Sequence, residues 1–120
     1  MTAKTEAPRT ADFLLSAANG TYSLEDIIVS GGTYETGTVL GQVASTGKYV
    51  ILAPAADDGS QNAAAVLWSR TDAGARDVIA LAIVRATEVK AAVLIWPAGI
   101  SGPQQTAATD QLNALGIVLR

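Results

Sequence analysis

The residues able to do chemistry are few and poorly spaced for it. The densest acid lies in two adjacent pairs, Glu25-Asp26 and Asp57-Asp58, in a chain without histidine or cysteine. Neighbouring residues on a strand project to opposite faces, so Glu25 and Asp26 cannot flank one substrate as acid and base. Asp57-Asp58-Gly59-Ser60 reads as a solvated turn, because the spaced oxygen ligands and closing glutamate of a calcium loop are missing. Ser45 and Lys48 form a serine–lysine pair only formally, since the first sits in a turn and the second opens a strand. Five residues separate Gly41 from Gly47-Lys48 and Tyr49 follows, whereas a phosphate loop has four and then Ser or Thr. No GxGxxG follows a strand and no GxSxG elbow occurs. Without His and Cys, imidazole bases, thiol nucleophiles, disulfides and the usual zinc or copper sites are excluded. No catalytic residue, cofactor site or metal site is expected, and the chain does not read as an enzyme.

The totals set the class of elements that remain. At 120 residues the chain makes one domain, long enough to bury a core unaided. Its net charge is -3 and its pI is about 4.7, and the Lys and Arg residues are scattered, so no basic face for nucleic acid is expected. Hydrophobic residues make up 49% but aromatics only 5%, so Ala and Val carry the apolar content, and charge at 16% is low enough to suggest association. Residues 1–10 hold no apolar stretch of the kind a signal peptide needs. The apolar runs 78–84 and 91–98 are too short to span a bilayer. The protein is expected to fold in the cytoplasm where it is made, with no membrane partner.

Residues 1–18 read as a flexible, polar N-terminal arm and residues 19–120 as a single β-rich domain. Within the arm, Phe13-Leu14-Leu15 is a compact apolar cluster with two readings: a first strand packed on the domain, or a peptide that docks on another protein by strand addition. Asn19-Gly20 is a turn signal, and its match to a glycosylation pattern is taken as chance. Strands are expected over 21–30, 38–44 and 48–52, the last two forming a hairpin about Ser45-Thr46-Gly47. Gly41 inside its run marks a bulge or a close backbone approach. A loop over 54–62 precedes a strand at 63–68 and a second polar loop over 69–76. The run 78–84 is apolar on both faces, as in a central strand covered on both sides. Residues 87–96 read as one strand with Val89, Ala91, Val93 and Ile95 on one face, Leu94 and Trp96 on the other, and Pro97 as its stop.

One helix is expected. Ser101 is its N-cap, Gln104 completes a capping box and Pro103 suits the first turn. Ala108, Leu112 and Leu115 make one apolar stripe, and Gly116 stops the helix before a last strand, 117–119. Six or seven short strands, a helix and a strand define a mainly β fold: a small β-clip or barrel-like domain with the helix on its outside. Trp68 and Trp96 each end an apolar strand and read either as core or rim packing or as interface anchors.

Several stretches taken in order carry a resemblance: Leu14-Leu15-Ser16 with Asn19-Gly20-Thr21-Tyr22-Ser23, then Gly37-Thr38-Val39-Leu40-Gly41, Thr46-Gly47-Lys48-Tyr49-Val50 and Pro54-Ala55-Ala56-Asp57-Asp58-Gly59-Ser60. Ala92-Val93-Leu94-Ile95-Trp96-Pro97-Ala98-Gly99 and Leu115-Gly116-Ile117-Val118-Leu119-Arg120 complete the set. Together they resemble the head decoration proteins of tailed phages, the lambda gpD type, over nearly everything after residue 12. The resemblance implies a homotrimer on the outer surface of the expanded capsid, at local threefold positions, that stabilises the head without catalysis or cofactor. It also implies that the arm contacts the major capsid protein, which by position makes Arg9, Thr10, Phe13, Leu14 and Leu15 the capsid-binding candidates. Trp68 and Trp96 are the candidates for the trimer interface. The alternative is a non-catalytic small-ligand-binding β-clip module, whose pocket would use Lys48, Tyr49 and Asp57.

Overall fold

The computed structural model describes residues 23–120 and the backbone of residues 14–17. Five strands close into a barrel: β2 (Leu24–Val29), β5 (Tyr49–Ile51), β4 (Val39–Gln42), β6 (Ala63–Leu67) and β8 (Val78–Ile83), in that order around the wall. The β2–β8 and β4–β5 seams are antiparallel ladders, whereas β2 meets β5 at one parallel step, Val29 with Tyr49. The hydrogen bond from Ser30 N–H to the Tyr49 carbonyl, 2.9 Å, completes that narrow closure.

Beside the barrel lies a three-stranded sheet ordered β1 (Leu14–Ala17), β9 (Thr87–Val89) and β10 (Ile117–Leu119). Strand β1 runs antiparallel to β9, and β10 runs parallel to it. Helix α1 (Gly102–Ala114) precedes β10. Two short strands, β3 (Thr33–Tyr34) and β7 (Thr71–Asp72), pair with each other outside both sheets.

The barrel has an inner and an outer core, and this explains why several of its strands are apolar on consecutive positions. Leu40, Ala65, Leu67 and Ala82 point inward with Ile27, Val29 and Tyr34. Val39, Val66 and Ile83 point outward and are roofed by Val89, Leu94, Ala108, Leu112 and Ile117. Alternation puts Val39 and Leu40, or Val66 and Leu67, into different cores because successive side chains leave opposite faces. Among the described residues no buried side-chain polar atom lacks a hydrogen bond. Thr36 Oγ1 donates to the Trp68 carbonyl at 2.8 Å, and Thr38 Oγ1 to that of Glu35 at 2.7 Å.

The helix is built as its sequence specifies. Ser101 Oγ accepts from the Gln104 N–H at 3.2 Å, Gln104 Oε1 accepts from the Ser101 N–H at 2.9 Å, and Pro103 lies in the first turn. Ala108 and Leu112 are buried as expected, but Leu115 is exposed. It is the C-cap, where Gly116 at φ +85° turns the chain away before the stripe completes a third step.

Other expectations need correction. The strand at 78–84 is not covered on both sides: Ile79 is 72% exposed, because the roof reaches only part of the barrel's outer wall. The stretch 87–96 is not one strand. It leaves the sheet after Val89, makes a 3₁₀ turn at Ala91–Val93 and returns at Ile95, which bridges Thr38. The Ala91 N–H donates to the Arg120 carbonyl at 3.2 Å and closes the end of the β9–β10 pair, and the Lys90-Ala91-Ala92 run has no β-branched residue to hold it extended. Val93 and Ile95 are therefore partly exposed rather than on a buried face. The polar loop 69–76 contains β7. Among the described residues nine strands, not six or seven, precede the helix, because the loops add two-residue pairings.

Candidate functional site

Three of the stretches that stand out in the sequence meet at one place, where they join backbone to backbone. Gly37 to Leu40 is a hub. The Gly37 N–H donates to the Leu67 carbonyl at 2.9 Å, the Ile95 N–H donates to the Gly37 carbonyl at 2.9 Å, and the Val39 N–H donates to the Ile95 carbonyl at 3.0 Å. Gly41 follows, at a register shift between β4 and β6. The 54–62 loop folds back over it so closely that a Cβ on Gly41 would lie 2.2 Å from the Ser60 carbonyl oxygen. Both readings of Gly41, bulge and close approach, hold at the same residue. Two further bonds tie the loop down: Ala53 N–H to the Ser60 carbonyl at 3.0 Å, and Ala44 N–H to the Asp58 carbonyl at 2.8 Å.

The Asp57–Asp58 pair serves this loop. Asp58 Oδ1 accepts from Ser60 Oγ at 2.6 Å and from the Ser60 N–H at 3.0 Å, and these bonds hold its carboxyl below the usual carboxylate value. Asp72 is lowered in the same way, first by Thr33 Oγ1 at 2.9 Å and then by the Gly74 N–H at 3.2 Å, with Arg70 nearby. A carboxyl depressed in the folded state adds stability above its unfolded value, about 3.9, and loses that contribution as pH falls through the folded value. Both groups are exposed. The melting temperature should therefore hold between pH 7 and 5 and fall below about pH 4, with a shallower acid limb in Asp58→Asn; equal acid limbs would exclude a stabilising part for this bond. Among the described residues no three Asp or Glu side chains gather into a metal-holding group.

A shallow groove of about 630 Å³ opens between the barrel and the helix end, lined by residues including Glu25, Gln42, Tyr49, Arg85 and Gln111. Of the three pocket candidates only Tyr49 lines it. Lys48 is ion-paired to Asp77 at 2.6 Å and Asp57 stays on the exposed loop, so the geometry does not bring them together. Burial, then the Glu25 charge, pushes the Tyr49 hydroxyl pKa up. Glu25 is paired with Arg85. Gln111 is committed to the fold: its Oε1 accepts from the Ala63 N–H at 2.7 Å and its Nε2 donates to Asn62 Oδ1 at 2.9 Å. Of the polar groups in the groove, Glu25 is thus held by Arg85, and Gln111 by Ala63 and Asn62.

Trp68 and Trp96 are both half-buried and pack against the outer core. Arg9, Thr10 and Phe13 lie outside the described residues. Leu14 and Leu15 begin β1, where Leu14 sits opposite Val89. The arm-proximal chain thus joins the sheet beside the 3₁₀ turn, where Val93 and Ile95 are partly exposed. Sequence reading missed the outward pair Ile28 and Ile79, which face each other across β2 and β8 and are 45% and 72% exposed. The signal was present in the unbroken apolar triplets Ile27-Ile28-Val29 and Val78-Ile79-Ala80, which a one-sided strand would not need.

The fold is a small β-barrel domain in which the Gly37 to Gly41 stretch, the 54–62 loop and the Ile95 return hold the scaffold together. The model of the bacteriophage lambda head decoration protein D family matches residues 3–117, and the chain belongs to that family. It is a phage head decoration protein. No curated protein sequence is significantly similar to it.

Proposed function

We propose that the protein assembles as a homotrimer, seats on the outside of the expanded phage head at local threefold positions, and reinforces the shell. The observation that carries this reading is the family match across residues 3–117. The geometry supports it in two ways. Glu25, Arg85 and Gln111 in the groove are engaged with protein partners rather than left to converge on a ligand. The barrel instead offers exposed apolar wall, as expected of a protein that works by contact.

In this reading the major capsid protein is the partner, and the N-terminal segment supplies the grip through Arg9, Thr10, Phe13, Leu14 and Leu15. An extended segment that adds to a sheet edge gains main-chain hydrogen bonds, and alternate side chains fill pockets. Trp68 and Trp96 are offered to the trimer contact, as half-buried aromatics are strong anchors there. The contacts require neither chemistry nor a cofactor, and nucleic acid and membrane have no part in them.

The test is co-sedimentation with expanded and unexpanded empty heads of a matched phage. Saturable binding to expanded heads alone, three copies per local threefold, is the expected result. Absence of binding to either form would remove the decoration role from this chain.

A further inference from the structure

The outer wall of the barrel is only partly roofed. Along the β2–β8 ladder the outward rows are Leu24 with Ile83, then Asp26 with Leu81, then Ile28 with Ile79. The first row belongs to the outer core, Ile83 being fully buried and Leu24 packed against it. The last row faces water, with Ile79 the most exposed large hydrophobic residue of the described chain at 72%. A β-branched apolar pair, set directly across two antiparallel strands and left uncovered, costs solubility and gives the monomer little in return.

The charges around this pair are complementary. Asp26 stands one outward step from Ile28 on one side, and Arg76 lies in the turn that leads into β8 on the other. The ion pairs among the described residues join Lys48 to Asp77, Arg70 to Glu35, Arg85 to Glu25 and Arg120 to Glu88, so Asp26 and Arg76 take no part in them. A free anion on one side of an apolar centre and a free cation on the other let each copy present its anionic side to the cationic side of the next, the head-to-tail contact that closes a ring, with an apolar middle and a polar rim. Trp68 stands at the edge of the same wall, its backbone N–H donating to the Leu81 carbonyl at 3.1 Å.

We propose that the Ile28–Ile79 face is where copies of this chain meet, with Asp26 of one copy against Arg76 of the next. The inference rests on the proposed self-association and adds its location, its central side chains and its charge register.

The test is sedimentation of the full chain over a concentration series, with far-UV circular dichroism and thermal melting as controls for folding. Ile79→Glu should keep the wild-type spectrum and weaken association at least 100-fold, while Val93→Glu, in the other exposed apolar patch, should leave it unchanged. Asp26→Arg and Arg76→Asp should each weaken association, and the double exchange should restore it. This charge swap decides the matter independently should Ile79→Glu fail to fold. Wild-type association in Ile79→Glu, or single charge variants without effect, would overturn the location. Head binding tested alongside separates the two readings. A trimer that resists these substitutions yet binds heads defeats this inference alone; a protein that associates through Ile79 and binds no head defeats the decoration role alone. If the wild-type chain stays monomeric in solution, head binding becomes the readout, and an unchanged binding isotherm for Ile79→Glu overturns the inference.

Discussion

Gly41→Ala should lower the melting temperature by about 12 °C, since among the described glycines it is the one where an added methyl would come closest to other backbone atoms. The added Cβ would sit 2.2 Å from the Ser60 carbonyl oxygen and 2.8 Å from both the carbonyl carbon and the Cα of Ser60. All three are backbone atoms, so no side chain can swing aside. Relief requires the 54–62 loop to lift, and lifting it strains the bonds from Ala53 N–H to Ser60 and from Ala44 N–H to Asp58. Overpacking of this kind costs about 3 kcal/mol, the upper part of its usual range. Gly47→Ala is the matched control. Its φ of +74° imposes only the left-handed penalty, about 1 kcal/mol, because the nearest atom to its Cβ would be Gln42 Nε2 at 3.8 Å. Thermal melts of the two variants settle the point: a Gly41→Ala shift no larger than that of Gly47→Ala would mean that the loop yields freely.

That contrast indicates how much of the molecule could be read from its sequence. Elements governed by local chemistry were legible. The capping box of Ser101 and Gln104, the glycine stop at Gly116 and the hairpin about Gly47 depend on residues within a few positions of one another. Gly41 was legible as a punctuation mark, although its partner, Ser60, could not be named because the loop returns through tertiary folding. Features that depend on which face is covered were misread. Apolar residues on both sides of 78–84 imply two covers, yet the barrel supplies an inner core and a roof over only part of its outside. The misreading of 87–96 has the same origin. Alternation was present in Val89, Ala91, Val93 and Ile95, but the Arg120 carbonyl claims the Ala91 N–H, and that partner comes from the far end of the chain.

The candidate site followed the same division. Motifs conspicuous enough to carry a family resemblance proved to be joints of the scaffold: Gly37 to Gly41, the Pro54 to Ser60 loop and the return at Ile95 all meet at one hub. The surfaces proposed for partners use ordinary residues with no signature spacing. A contact surface needs apolar area and matching charge, and many side chains supply those equally well.

The largest functional effect should come from the arm, and the structure changes where it should be cut. Removing everything through residue 18 would delete β1, which pairs with β9 through Leu14, Ser16 and Ala17. Loss of head binding by that variant would be ambiguous, because the β9 edge would be laid bare and the sheet weakened. Deleting residues 2–13 leaves the β1–β9 pairing in place. That variant should melt as the wild type does, keep its oligomeric state, and bind expanded heads about 100-fold or more weaker, because in the proposed trimer three arms would multiply each arm's effective concentration. The same arithmetic makes a second prediction. Ile79→Glu retains its arm but presents one at a time, so it too should bind heads weakly, while a covalently linked trimer of the same variant should recover. If the 2–13 deletion binds heads with undiminished affinity, the grip lies on the folded domain, and the partly exposed Val93 and Ile95 beside the start of β1 become the surface to substitute next. If binding is lost with folding and assembly intact, the affinity resides in residues that make no contribution to the stability of the barrel, so grip and fold can be altered independently.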